Sequence, residues 1–192
     1  MAYLSFAGAI TVGGNTWLVN ARKSGIYTEM AKRMIGQIEA MLTHHSKIHI
    51  VRFDLHQPDY TPDNSRISLF NRYLHNRLKT RYKLARIGFV WVREQERAKQ
   101  QHYHYALILD GHKIHHPQQV LDLICELWEL FLGGHVWKPK NCYYNLQRHD
   151  HAQLQAAIWR ISYLAKGRGK GYRPEQTKNY STSRIKPLIT NR

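Results

Sequence analysis

His102-Tyr103-His104-Tyr105-Ala106-Leu107-Ile108-Leu109 is the stretch that decides how this chain is read. Its aromatic and aliphatic run is that of a buried strand, ended by Asp110-Gly111. Alternate side chains of a strand share a face, so His102 and His104 point the same way and can hold one divalent metal. Residues 86–94 read as a second strand, and the polar stretch 95–100 turns the chain between the two. That hairpin must be antiparallel. If Glu94 pairs opposite His102, its carboxylate joins both rings. A one-residue slip would turn it away and leave Asp54 or His56, on a neighbouring strand, as the third ligand. One carboxylate and two imidazoles leave coordination positions open for catalysis, and they suit Mg²⁺ or Mn²⁺.

Working outward, residues 26–43 read as a helix with Ile26, Met30, Met34, Ile38, Met41 and Leu42 along one stripe. Residues 47–56 alternate as a strand, with His49, Val51, Phe53 and Leu55 on one face and Arg52, Asp54 and His56 on the other. Asp63 or Asn64 can cap a helix that runs to about Tyr82 with Ile67, Phe70, Leu74 and Leu78 inward. Pro117 opens a helix to Leu132, which Gly133-Gly134 stops. Residues 135–147 form a fourth strand broken near Pro139, and residues 151–166 a last helix with Leu154, Ile158, Ile161 and Leu164 inward. The expected class is α+β, an antiparallel sheet with helices packed on it. Residues 46–166 form the core domain. Residues 1–45 pack on it or extend it, and residues 167–192 make a glycine-rich basic tail with seven Lys or Arg against one Glu.

The 192 residues carry a formal charge of +16, which favours a polyanionic partner, most often nucleic acid. Cys125 and Cys142 are too few for a disulfide framework or a four-cysteine zinc site and read as reduced thiols of a cytoplasmic protein. No apolar stretch reaches the roughly 18 residues that span a bilayer, and no membrane role or signal peptide is expected. Gly167-Arg168-Gly169-Lys170 lacks the spacing and the following hydroxyl of a phosphate loop, so no ATP motor is present. A second pair, His149 and His151, sits at a polar junction and reads as solvated surface or DNA contact.

Tyr163 and Lys166 are three apart on the expected last helix and so share a face. A nearby cation activates a phenol as nucleophile and steadies phosphate charge. Tyr143, Tyr144, Tyr172 and Tyr180 are its rivals. A metal, a phenol and a cation together suit attack on a phosphodiester. Arg52, Arg168, Lys170 and Arg173 are the expected DNA contacts, and Tyr103, Tyr105 or Tyr144 can stack on unpaired bases or serve the core.

The order His-hydrophobic-His, then Tyr-x-x-Lys, resembles the HUH endonucleases, and more narrowly their rolling-circle replication initiators. In relaxases of that superfamily the tyrosine precedes the His pair; here it follows. Val51-Arg52-Phe53-Asp54-Leu55-His56, Trp91-Val92-Arg93-Glu94 and His102-Tyr103-His104 are similar to segments of the inovirus-type initiators, also seen in prophage-derived proteins. The resemblance covers roughly residues 46–166. It implies a ferredoxin-like or RRM-like central sheet of about five antiparallel strands flanked by helices. It further implies His102, His104 and Glu94 as metal ligands, Tyr163 as nucleophile and Lys166 as its assistant. A protein of this kind nicks single-stranded origin DNA through a 5′-phosphotyrosine and rejoins it. It acts as monomer or dimer in the bacterial host cytoplasm, and a helicase comes from another protein. Only one tyrosine stands in the Tyr-x-x-Lys context, which departs from the initiators with paired tyrosines. A single-tyrosine transposase and a non-catalytic origin-binding protein share much of this pattern. An RNA-binding module fits less well, because no glycine-aromatic RNA consensus lies on the expected strands.

Overall fold

The computed structural model describes residues 3–95, 101–170 and 174–188. Its strands are β1 (Leu4–Ser5), β2 (Ala9–Val12), β3 (Asn15–Leu18), β4 (Ile26–Tyr27), β5 (Lys47–His56), β6 (Gly88–Glu94), β7 (His102–Asp110), β8 (His135–Trp137), β9 (Tyr143–Gln147) and β10 (Tyr180–Thr182). Its α-helices are α1 (Thr28–His44), α2 (Ser65–Tyr82), α3 (Gln118–Cys125) and α4 (His151–Ser162). The fold is α+β. A six-stranded antiparallel sheet runs in the order β10-β6-β7-β5, and β8 and β9 both pair the outer edge of β5.

Strand alternation sorts the apolar side chains into two cores. Ile48 and Ile50 of β5, Val90 and Val92 of β6, and Ala106 and Ile108 of β7 face α1 and α4. Val51, Phe53 and Leu55, with Trp91, Tyr103, Tyr105 and Leu107, face α2 and α3. Tyr103 and Tyr105 are therefore core aromatics and not a surface for bases. Met30, Met34, Ile38, Met41 and Leu42 of the expected stripe are buried on α1, while Ile26 lies ahead of the helix in β4; the stripe expected on α2 is buried. Residues of α1, with Ile10 of β2 and Trp17 of β3, pack in the first of these cores. Asn64 holds the cap position of α2, but its side chain bonds the Lys178 carbonyl and the Tyr103 hydroxyl and does not cap the helix. The Asp63 carboxylate accepts from Ser65 N and Oγ at 2.9 and 2.7 Å. Either residue suits a cap; the one before the cap position does the bonding.

Three elements depart from the sequence reading. The helix opened by Pro117 does not stay α to Leu132: it widens into a π-helical segment, Glu126–Phe131. That segment buries Trp128, whose Nε1 donates to the His56 carbonyl at 2.9 Å. Gly134 lies under the same indole, where a Cβ would collide with Trp128 and with the His56 carbonyl. The last α-helix stops at Ser162, not 166, and tightens into a 3₁₀ turn, Tyr163–Ala165. Lys166 then turns extended and bridges Ile26. Finally, the basic tail is not all tail. Tyr180, Ser181 and Thr182 pair with Val92, Trp91 and Val90 and add a sixth strand at the β6 edge. Three residues amid polar neighbours show no alternation long enough to read. Cys125 and Cys142 are free thiols, and among the described residues no helix is long and apolar enough to cross a membrane.

His75 on α2 makes a prediction. Its ring centroid lies 5.1 Å from that of Phe89, and its Nε2 is buried without a hydrogen-bond partner among the described residues. Burial, and after it the charge of Lys79, holds its pKa down at about 4. The unfolded chain takes up this proton near pH 6.5, so protonation favours unfolding. The contribution is present above about pH 6.5 and is lost as the pH falls toward 4, up to about 3 kcal/mol. Urea melts at pH 7 and pH 4.5 should show a smaller loss in His75→Leu than in the parent.

Candidate metal centre

The register along the hairpin puts Glu94 directly opposite His102, and Val92 opposite His104. On its other side β7 pairs His102 with His56 and His104 with Asp54. One face of the sheet thus carries two adjacent cross-strand rows, Glu94–His102–His56–His135 and Tyr180–Val92–His104–Asp54–Trp137. They lie on the face that α1 and α4 cover, next to the apolar rows of Val90, Ala106, Ile50 and Ile108.

Glu94, His102 and His104 converge: one ligand atom from each lies within 4.8 Å of the other two. Two ligands on one ion can stand at most about 4.2 Å apart. Closing on a metal therefore draws the widest pair in by a fraction of an ångström, within reach of small rotamer changes. Glu94 and His104 are buried and His102 is half-buried, so the group is reached from the His102 side. The donor chemistry and the spacing fit a metal ion.

Asp54 and His56 stand outside the triad, each beside one of its histidines. Asp54 Oδ1 lies 2.8 Å from His104 Nδ1, and Glu94 Oε2 lies 3.3 Å from His104 Nε2. Asp54 thus stands as a carboxylate behind Nδ1, an ion-pair partner that leaves Nε2 to face a metal. Burial pushes the His104 imidazole down, but Asp54 and Glu94 together outweigh it and hold the group above its ordinary value. The His56 ring stacks on His102, with centroids 5.2 Å apart, and burial lowers its pKa.

The Glu94 carboxylate also gathers cations. Lys170 Nζ donates to Oε1 at 2.8 Å, and Lys166 Nζ lies 3.4 Å from Oε2. Burial pushes the Glu94 carboxyl up, but His104 and Lys170 outweigh that and bring it to about 2. The Lys170 side chain is fully buried, and burial lowers its pKa against the pull of Glu94. Gly169, at φ +79°, provides the turn that brings Lys170 back onto Glu94. Lys166 Nζ also donates to the Tyr163 hydroxyl at 3.2 Å and sits 4.4 Å above its ring. One ammonium thus joins the tyrosine to the triad, and Tyr163 itself is 40% exposed. The 3₁₀ turn achieves this juxtaposition although the α-helix expected there has ended.

The remaining expected contacts scatter. Arg52 is half-buried on the site face, two residues from Asp54. Arg168 is exposed beside the triad's cations, and Arg173 and Tyr172 lie outside the described residues. Lys170, expected on DNA, is spent on Glu94. Tyr143 is exposed, Tyr144 half-buried, and Tyr180 sits in the His104 row. His149 is exposed, and His151 stacks on Trp17 at 4.7 Å. Sequence reasoning missed Tyr180 as a neighbour of the metal group and Lys170 as its counter-ion. A basic glycine run following a Tyr-x-x-Lys was the available signal for the second. Residues 15–183 match the family model of the YagK/YfjJ C-terminal domain, from β3 to just past β10. No curated protein matches the chain.

Proposed function

The chain belongs to the YagK/YfjJ C-terminal domain family, a description that names no reaction, so we propose one from the site. The protein is a metal-dependent, sequence-specific single-strand DNA endonuclease of the HUH type. It starts rolling-circle replication by nicking the origin. The observation that carries this reading is the Lys166 ammonium shared between the Tyr163 hydroxyl and a ligand of the Glu94–His102–His104 group.

Mn²⁺ or Mg²⁺ held by Glu94, His102 and His104 would supply a Lewis acid for a non-bridging oxygen of the scissile phosphate. The chain's own residues do the rest. Asp54 fixes the His104 ring through Nδ1. The Tyr163 oxygen attacks phosphorus and gives up its phenol proton to solvent. The bond from phosphorus to the 3′ oxygen breaks, and that oxygen takes up a proton and leaves as a free 3′-hydroxyl. The 5′ end stays on Tyr163 as a phosphotyrosine. Lys166 steadies the negative charge on the phosphate. The same steps in reverse rejoin the strand, and the bond energy kept in the ester makes ATP unnecessary for cleavage. Strand separation falls to a helicase from another protein.

The test uses labelled single-stranded oligonucleotides from the source replicon, with Mn²⁺ or with chelator. The expected result is a denaturation-resistant protein–DNA adduct and a free 3′-hydroxyl with Mn²⁺, and neither with chelator. Tight, salt-sensitive binding without an adduct on any origin fragment would overturn the enzyme in favour of an origin-binding protein.

A further inference from the structure

A cavity of about 820 Å³ opens beside the metal group, between the start of α1 and the β10 edge. Lys170 is in the wall of both. The volume lies within the range of small-ligand sites, about 300–1,000 Å³, and it is large enough for one nucleotide. Tyr27 and Tyr180, both half-buried, supply rings. Tyr180 pairs with Val92 and so stands on the same face, and in the same row, as His104. Arg33, Lys178 and Arg184 bring cations to the cavity lining, and Glu29 and Glu175 bring carboxylates. Aromatic rings stack bases, cations take phosphate oxygens, and carboxylates accept from base amino groups. A site for phosphate alone needs neither the rings nor the acids.

We infer that this cavity receives one extruded nucleotide of the single-stranded DNA next to the scissile phosphate, its base stacked on Tyr27 or Tyr180. The inference rests on the nuclease reading for its substrate class. The cavity wall at Lys170 ties the two sites together: a strand anchored here reaches the triad across a shared lysine. Whatever base the cavity prefers would set the nick's position relative to sequence.

The experiment uses the full chain, a fluorescein-labelled dT15 strand and the same strand with 5-iodo-deoxyuridine for photocrosslinking. The expected crosslinks map to Tyr27 or Tyr180. Tyr180→Ala should weaken dT15 binding about tenfold to a hundredfold, as loss of one stacked base does. Tyr180→Phe, which keeps the ring, should bind like the parent, with melting temperatures checking that each variant is folded. Unchanged binding by Tyr27→Ala and Tyr180→Ala, or crosslinks confined elsewhere, would overturn the inference. Tighter binding of rU15 at the same tyrosines would overturn the DNA assignment, and dTMP binding as tightly as dT15 would assign a free-nucleotide site in its place. Metal-dependent nicking without crosslinks in the cavity would sink this inference alone. Cavity crosslinks without nicking would sink the nuclease and leave the pocket.

Discussion

Tyr163→Phe is expected to bind origin DNA as tightly as the parent and to form no covalent adduct. The substitution removes one oxygen. The ring stays, and with it the stacking of Lys166 at 4.4 Å. A side chain 40% exposed contributes little to folding through its hydroxyl, so stability should change by no more than about 0.5 kcal/mol. The proposed nick, in contrast, loses its nucleophile. Loss of a nucleophile that acts within a unit lowers turnover by a thousandfold or more, on the order of what such removals cost elsewhere. A gel of labelled oligonucleotide under Mn²⁺ reads the adduct directly. An adduct that survives would shift the role to Tyr143, Tyr144, Tyr172 or Tyr180 and leave the reaction class standing.

Glu94→Gln should do two separable harms. It removes a proposed metal ligand, and Mn²⁺ binding by calorimetry should weaken by more than the ~10–100-fold that loss of an outer partner costs. It also strands Lys170, whose side chain is fully buried against that carboxylate. Removing one partner of a buried pair costs about 3–5 kcal/mol, so the single variant should melt well below the parent. Glu94→Gln with Lys170→Met removes both charges and should recover much of the stability while still failing to bind metal. Metal affinity that returns with stability in the double variant would show that Glu94 is not a ligand. The same pairing sets an acid limit. Glu94 is held at about 2, below its unfolded value, so its contribution is present above about pH 4.5 and fades as the pH falls toward 2.

Much of this site is written in short local patterns. The run Tyr105 to Leu109 marks a strand, its alternation puts His102 and His104 on one face, and an antiparallel partner strand offers a register that sets Glu94 opposite His102. The strands do pair in that register, Glu94 with His102. Asp54 and His56 could be placed on the correct strand, because residues 47–56 alternate cleanly. What separates them from the triad is side-chain reach, which period alone does not carry. Tyr163 and Lys166 were placed together by helical spacing, and they meet in a 3₁₀ turn instead, because the i,i+3 offset brings side chains together in both. The rest is long-range. That Lys170 folds back onto Glu94, 76 positions away, and that Tyr180 pairs across to Val92, depend on tertiary packing of a polar segment with no periodicity of its own.

The cations on Glu94 bear on how the protein matures. In small zinc domains the ligands have no counter-charge until the metal arrives, so folding waits for it. Here the carboxylate is already matched by Lys166, Lys170 and His104. The chain can reach its native state first and be loaded afterwards. Chelation should accordingly move the melting temperature by only a few degrees, as scanning calorimetry of stripped and reloaded protein would show. An ion taken up here would then follow from the supply the finished protein meets, not from the ion present while the chain folds, and one preparation should exchange between metals without unfolding.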